Sequence, residues 1–541
     1  MVVIRADEKF ISETFGRDFI SKIWDFSGII GYTPERDGGE LKVEFNPDRP
    51  DLFSFTTLCS AISCYYDRKE VGPIRYGTGT VIFSVSKEAT KLRPFVSSFE
   101  AHGNSIGNRF RDLIDFQEKI HQSIGKNRTK VSIGIHDMKR VTLPLRYISL
   151  DSEILRFTPY DSSQEMSAVE ILSQHPLGKE YSRLLPDART VPVIVDSRDR
   201  VLSLPPVING DISTVSESTN HFFVDITGTD SRSVAQASQL LQYFFQNAGF
   251  SILVSKQDGG MNFHSIAMLD GRPIRINLSR ASRILGIENI HHGVISQALL
   301  KMGYIKCEPA GKDTVMDISV PGNRIDVMGE MDIIEDIAKA IGYDNIAPVA
   351  PALDVIGSSR LDTVLRDRIR EISIGLGYQE VMTFVVTSSS FYDHMHRDDG
   401  IVVHNPKSLD FSIVRDRLRL NILEFFRINK RRPLPQKVFE IGEVFINGVQ
   451  KTSLCFALIS PRSGFSDIKQ PLETLLQRFG LYLDGISQAD SEEFIPGRCG
   501  AILVNGKRAG IIGEINPESL LRFDLANPVS VFELDISALM G

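Results

Sequence analysis

Cysteine is scarce in this chain: five residues in 541 (Cys59, Cys64, Cys307, Cys455 and Cys499), with no CxxC pair. That scarcity excludes a disulfide scaffold and a cysteine-rich zinc site, and it suits a reducing compartment. No apolar run approaches the ~18 residues a membrane span needs. The opening Met1-Val2-Val3-Ile4-Arg5-Ala6-Asp7 lacks a signal peptide's plan, so a cytoplasmic chain without a membrane partner is expected. Positive charge is not in excess: 61 Lys and Arg against 68 Asp and Glu leave a net charge of −7. A general basic coat for nucleic acid is thereby excluded, though a local basic footprint is not. The GxxxxGK[ST] phosphate loop, HExxH, the GxSxG elbow and a GxGxxG between strand and helix are all missing.

What is present is ordinary globular material. Hydrophobic content of 42% and charged content of 24% rule out disorder. The length predicts about three to five domains. In the first eighty residues a helical stretch, Asp18 to Trp24, precedes an alternating strand, Leu41-Lys42-Val43-Glu44-Phe45, and a proline-rich loop. Gly72-Pro73 through Gly77-Thr78-Gly79-Thr80 reads as a linker. Beyond it, Phe110, Leu113, Ile114, Gln117 and Ile120 recur at helical spacing, so Arg109 to Ile124 is expected to be an amphipathic helix. Val131-Ser132-Ile133-Gly134-Ile135-His136-Asp137 alternates like a strand. A region near 270–347 reads as helix-rich, and Pro348 to Pro351 as a further linker. Leu365, Ile369, Ile372 and Leu376 then form one helical face, followed by a buried strand over Val381 to Val386.

Three constellations could carry chemistry. In the first, Asp332, Glu335 and Asp336 fall at i, i+3 and i+4 of an expected helix, with Asp326 just upstream. A hard-oxygen set for Mg²⁺ fits that spacing, and so does an acidic first turn favoured by the helix dipole. In the second, alternation places Asp225, Thr227 and Thr229 on one side of a strand, with Ser203, Asn209, His136 and Asp137 elsewhere in the same region. A polar pocket or a solvent-facing Thr-rich strand are both open. The third is basic, Arg427 to Arg432, and suits a phosphate backbone or a solvated helix terminus. His291-His292 and Asp393-His394-Met395-His396 lack further ligands at metal spacing.

With those residues in view, the chain resembles the β subunits of phenylalanyl-tRNA synthetase in their shorter archaeal and eukaryotic-cytosolic form. The resemblance rests on VEFNPDRPDL (43–52), KVSIGIHD (130–137), LSLPPVINGD (202–211) and VDITGTD (224–230). It continues in VPGNRIDV, MDIIEDIAKAIGYDNI, HNPKS, RRPLPQKVFEIGEVF, FIPGR and IGEINPE.

The resemblance implies an α+β multi-domain chain. Its parts are an N-terminal module (1–80), an editing domain (81–262), a helical magnesium-linked domain (263–348) and a class II synthetase-like antiparallel-sheet core (352–541). It implies an (αβ)₂ heterotetramer that charges tRNA(Phe) with phenylalanine, consuming ATP at a site on the α subunit. The β chain would then hydrolyse mischarged Tyr-tRNA(Phe). Asp225, Thr227, Ser203 and Asn209 become the editing-pocket candidates, and Asp326, Asp332, Glu335 and Asp336 the Mg²⁺ candidates. A non-editing structural subunit that binds tRNA and a free-standing deacylase are the competing readings.

One departure bears on the last domain. The class II signature has an arginine two residues before an acid, and a glycine-rich segment ending in arginine. Here Val438-Phe439 precede Glu440, and Val531-Phe532-Glu533-Leu534-Asp535 has neither glycine nor arginine. Phosphate charge would go unneutralised, so this core is expected to be catalytically silent. The short form also lacks room for the extra RNA-binding domains of longer members, so anticodon contacts are expected from elsewhere.

Overall fold

Alternating apolar residues and a few well-placed glycines build the sheet that dominates the first half of the chain. The computed structural model describes residues 2–67, 74, 76–185, 189–258, 272–288, 290–309, 314–351, 356–392 and 401–539. His394, His396, Gly72, Pro73 and the expected boundaries at 262–263 and 352 lie outside them. The chain divides into two compact units, Met1–Ala350 and Pro351–Gly541. Among the described residues no helix is long and apolar enough to cross a membrane.

The first unit's main sheet has nine strands. Across it they run Ile208–Asn209, Val201–Leu204, Thr190–Val195, Leu145–Asp151, Tyr76–Val85, Ser251–Asp258, Phe95–His102, His221–Gly228 and Val131–Asp137. Tyr76–Val85 pairs in parallel with both neighbours, and the remaining pairs are antiparallel. The Gly77-Thr78-Gly79-Thr80 segment, expected to be linker, is therefore the start of a central strand. Its glycines admit what lies over them: a Cβ on Gly79 would overlap the Glu100 carboxylate and sit 2.8 Å from the Val254 carbonyl. Glu100 is fully buried there and accepts from the Val81 amide at 2.9 Å.

Both faces of this sheet are covered. Ile133, Ile135, Val224 and Ile226 pack with Leu113, Phe116 and Ile120 of the Phe110–Gln122 helix and with Leu240, Leu241, Phe244 and Phe245 of the Ser231–Asn247 helix. Phe116 and Phe244 stack with centroids 5.5 Å apart. Val81, Phe83, Val96, Leu145, Tyr147 and Phe223 fill the other side. The helical face read over Arg109 to Ile124 thus helps cover one flank, and the expected Val131–Asp137 strand lies beneath it as the last strand of the sheet.

The same core takes in Ile4, Leu58, Ile318 and Ile333, so the first three expected regions share one hydrophobic interior. The region read as helix-rich also holds a three-stranded antiparallel sheet, Arg272–Asn277, Val315–Val320 and Lys306–Pro309. Its strands are short, and Val315–Val320 buries only alternate residues, a signal that the glycine-stopped helices beside it mask.

The second unit carries a seven-stranded sheet in the order Gln379–Glu380, Gln436–Ile446, Val449–Ile459, Val529–Asp535, Lys507–Ile515, Phe494–Val504 and Gly485–Gln488. All its pairs are antiparallel except the first. Leu365 and Ile369 of the Leu361–Gly375 helix reach the core as their spacing predicts. The expected buried strand over Val381 to Val386 is corrected: only Gln379–Glu380 and Val386–Thr387 pair. With no ladder between them, Met382 and Phe384 are left 93% and 74% exposed.

A buried carboxylate ties the N-terminal region to the main sheet's helix. Asp112 accepts from the backbone amides of Phe55 and Thr56, both at 2.9 Å, at the start of the Phe55–Asp67 helix. Asp112→Ala leaves those two donors without their acceptor and is expected to cost about 2–3 kcal/mol in urea unfolding of the full chain. A loss below about 0.5 kcal/mol would show that water replaces the carboxylate.

Candidate functional site

The two ends of the nine-stranded sheet approach each other across a cavity of ≈ 510 Å³. One wall is the Val131–Asp137 strand with the Phe110–Gln122 helix. The other is Ser203 to Asn209, where the Val201–Leu204 and Ile208–Asn209 strands meet. Arg128 fastens the walls together: its guanidinium donates to the carbonyls of Pro206 (3.3 Å) and Val207 (3.0 Å) and to Glu118 (2.9 Å). His121 is held as one tautomer, because its Nε2 accepts from the Ile133 amide at 2.9 Å. Its Nδ1 therefore faces Glu118, 3.0 Å away, as donor. Burial pushes the Glu118 carboxyl up, but His121 and Arg128 outweigh it and bring the group down to about 2.

Apolar surface from Ile114, Ile133, Ile135, Pro205, Pro206 and Val207 lines this cavity, and Ser132, Ser203, Asn209, Ser213 and Thr214 supply its polar groups. Ser203 Oγ donates to Asn209 Oδ1 at 3.0 Å. The Ser203 oxygen keeps acceptor capacity, and the Asn209 amide keeps its NH₂ donors. A mostly apolar pocket with a few convergent polar groups is the usual form of a small-ligand site.

Of the four residues expected to share a pocket, the structure brings two to it. Asp225 and Thr227 are 1% and 0% exposed, lie outside the lining, and are not on a solvent-facing strand. Asp225 is engaged by His136, whose Nε2 stands 2.7 Å from Asp225 Oδ2. His136 Nδ1 lies 2.8 Å from Ser213 Oγ. Thr227 receives Arg93 on its hydroxyl (3.3 Å) and on its carbonyl (3.0 Å). Burial brings the Arg93 guanidinium down to about 10, partly offset by Tyr147 and Asp225. Asp137, the other residue of that strand's end, accepts from Thr219 at 2.6 Å.

Sequence spacing misses Ser213 and Arg128. Gly134 carries the one local signal. It interrupts a β-branched strand directly opposite Asp225, a position where a glycine marks close approach. A Cβ there would collide with Asp225 Oδ2 and lie 2.6 Å from His136 Nε2.

The four expected magnesium candidates have these partners in the structure. Asp326 and Asp336 both bind Arg324, at 2.7 and 2.6 Å, with the guanidinium almost wholly buried. Tyr304 donates to Asp336 at 2.7 Å, and Arg49, itself paired with Asp51, stands 3.9 Å from Asp326. Asp332 instead accepts from the amides of Met328 and Gly329, capping the Glu330–Ile341 helix. Glu335 points outward to Lys339. Their i, i+3, i+4 spacing puts them on neighbouring positions, but the helix buries Asp336 and exposes Glu335, so the four carboxylates do not converge. Among the described residues no three metal-ligating side chains gather. Arg324 supplies the countercharge to Asp326 and Asp336 in this arrangement.

In the second unit Glu440 is buried with Arg415, 2.7 Å away, and with Thr383. Arg417 and Arg419 both contact the buried Glu493, and Arg419 also holds Glu533 at 3.0 Å. In the basic stretch, Arg427 pairs with Glu424 and Lys430 with Asp524.

Comparison with known proteins gives these features a context. Residues 346–536 match the family described as the phenylalanyl tRNA synthetase beta chain CLM domain, and residues 274–343 match the tRNA synthetase B5 domain. The chain is 42% identical to a phenylalanine–tRNA ligase beta subunit from Thermoplasma volcanium, over 100% of this chain and 99% of that one. It is 39% identical to the subunit of the same name from Thermoplasma acidophilum, over 99% and 98%. The one from Archaeoglobus fulgidus is 34% identical over 94% of each. In fold, 63% of the chain superposes on all of an N-terminal fragment of the Pyrococcus horikoshii phenylalanyl-tRNA synthetase beta subunit, with a TM-score of 0.57 and 24% identity.

Two outcomes test this geometry. Arg324→Met strands two carboxylates and should destabilise the chain by about 3–5 kcal/mol in denaturant unfolding; a change under 1 kcal/mol would show that another cation serves them. The folded value of Glu118, about 2, lies below the ordinary 4.5. Its stabilisation is therefore whole above pH 4.5 and lost as pH falls toward 2. Glu118→Gln should flatten that part of the Tm-against-pH curve, and an unchanged slope would contradict the assignment.

Proposed function

The chain belongs to the family of phenylalanine–tRNA ligase beta subunits, and from that premise we propose that it is the editing subunit of a heteromeric ligase. In this reading it assembles with an α subunit as an (αβ)₂ heterotetramer and contacts tRNA(Phe). The α subunit charges that tRNA with phenylalanine at the expense of ATP. The cavity between the sheet ends of this chain hydrolyses tyrosine misplaced on the same tRNA. The observation that carries the editing assignment is the Ser203–Asn209 pair set into an otherwise apolar wall.

Tyrosine differs from phenylalanine by one hydroxyl, and a hydrophobic pocket rejects an added hydroxyl by only about 10²-fold. A second site that favours the hydroxyl restores fidelity. The aromatic ring packs against Pro205, Pro206, Val207 and Ile133. The phenol donates to the Ser203 oxygen and accepts from the Asn209 amide. Phenylalanine would leave those groups unpaired, at about 1–3 kcal/mol. Asp225, enclosed by His136, is not the group that reads the phenol.

Assignment of the aminoacylation site to the partner is supported by charge. Arg417 and Arg419 are both neutralised inside the unit: Glu493 holds both, Asp416 also holds Arg417, and Glu533 also holds Arg419. Phosphate would have to displace buried carboxylates to use them. Assembly is supported by the bare apolar surface of this unit: Met382, Phe384, Phe411 and Ile428 line one broad groove. Clusters of that kind mark sites of association.

The test is coexpression with the α subunit, followed by assays of phenylalanine charging and of tyrosyl-tRNA(Phe) hydrolysis. The expected complex performs both. Asn209→Ala should slow tyrosyl-ester hydrolysis by about 5–100-fold with charging unchanged. A complex that charges but does not hydrolyse would reduce the chain to a structural subunit, and activity of the monomer alone would make it a free-standing deacylase.

A further inference from the structure

We propose that Ser213 is a catalytic residue of this cavity, serving as the outer member of a hydroxyl–imidazole–carboxylate relay with His136 and Asp225. The proposal rests on the hydrolytic reading of the cavity and adds the groups that move the proton. Ser213 and its neighbours Thr214 and Val215 line the cavity, whereas His136 and Asp225 lie behind it, 0% and 1% exposed. Ser213 Oγ is 2.8 Å from His136 Nδ1, and His136 Nε2 is 2.7 Å from Asp225 Oδ2.

The hydrogen-bond inventory gives this chain of contacts a direction. A carboxylate only accepts, so the proton of the neutral imidazole sits on Nε2. Nδ1 then has a lone pair, and the Ser213 hydroxyl donates to it. The hydroxyl is thereby turned toward the imidazole with its oxygen lone pairs left for a partner in the cavity. Asp225 also faces Arg93 and Tyr147 from the neighbouring elements, and the cavity lining includes Arg111, Asp115, Glu118 and Arg128.

Backbone design supports a maintained pair rather than an incidental contact. His136 and Asp225 come from adjacent antiparallel strands, and Gly134 stands opposite Asp225. Its missing Cβ is what lets carboxylate and imidazole meet. Phe223, opposite His136, stacks on the ring with centroids 6.2 Å apart and planes inclined by 30°. The imidazole is thus fixed on one side by a carboxylate and on its face by an aromatic ring, which is how an orienting group is usually held.

Ser213 is itself only 1% exposed, so its hydroxyl is placed to act on a water rather than to attack a bulky ester. Water adds to the ester carbonyl carbon, forming a C–O bond. Its proton passes to Ser213 Oγ as the serine proton moves to His136 Nδ1, and Asp225 stabilises the imidazolium. The tetrahedral intermediate then collapses with cleavage of the ester C–O bond, and the departing ribose oxygen takes the proton back along the same path. The products are the free amino acid and the tRNA 3′ hydroxyl, with no other reactant consumed. Ser213 meets the reacting atoms, and His136 and Asp225 act through it as positioning residues.

The experiment uses the complex with the α subunit and tyrosyl-tRNA(Phe). Ser213→Ala should lower kcat for hydrolysis by about 10²-fold, with KM within threefold and phenylalanine charging unaffected. His136→Gln, which keeps a hydrogen-bonding amide but accepts no proton, should cause a similar loss. Ser213→Thr, which restores a hydroxyl, should recover part of the rate. If wild type hydrolyses the ester and Ser213→Ala retains its rate within threefold, the relay is overturned while the editing assignment stands. If wild type does not hydrolyse it, the editing assignment fails first.

Discussion

A carboxylate and an imidazole buried side by side between two strands are expensive to desolvate, and the neighbouring backbone is arranged to hold them together. Asp225 and His136 sit where the His221–Gly228 and Val131–Asp137 strands pair. Isolated, either group would be costly in that interior; hydrogen-bonded, each offsets the other's burial. The pair constrains its surroundings in turn. Residue 134 has to be glycine, and Ser213 is placed where the imidazole's second nitrogen can reach it. The Val131–Asp137 strand also has to remain at the sheet's end, because its other edge meets Gln117 and His121 rather than another strand.

That free edge makes the cavity. A closed barrel would have paired Val131–Asp137 with Ile208–Asn209, filling the gap with a ladder. Here the backbone groups of Ile133 are satisfied by helix side chains, and the opposite wall is turned outward at Pro205 and Pro206, which carry no amide donors. Arg128 spans what remains, its charge shared between two carbonyls and Glu118. The result is a site bounded by sheet backbone on both sides, which holds its side chains more rigidly than a site built on loops would.

The helices and strands that carry this site could be read from periodicity. Phe110–Gln122 and Val131–Asp137 each have one element's apolar spacing and no competing signal. Reading stopped where a residue's meaning depends on what lies across from it. Gly77 and Gly79 look like turn residues until Leu253 and Glu100 are placed over them. Asp225 and Thr227 look like the polar side of a half-exposed strand, since nothing local announces that the sheet is covered on both faces. Ser203 and Asn209 became pocket candidates through the family resemblance, and the pairing of Val201–Leu204 with Ile208–Asn209 is what joins them. Ser213 and His136 are 77 positions apart, and only the fold brings them together.

The acidic cluster shows the same limit in a different form. Spacing along a helix tells which residues are neighbours, but three carboxylates at i, i+3 and i+4 span an arc wide enough to include both core and solvent. Asp336 falls on the core side, where Arg324 supplies the countercharge a metal would otherwise bring; Glu335 falls outside and takes Lys339. The second unit repeats the solution, with Arg415 given to Glu440 and Arg417 and Arg419 to Glu493. In both units, arginines that sequence alone would leave available for ligands are neutralised inside the protein. Buried cations that already have partners stabilise a fold only when removal of the partner is costly, and they resist recruitment by phosphate for the same reason. Arg128 is bound differently, to two carbonyls and to a Glu118 side chain that is 40% exposed.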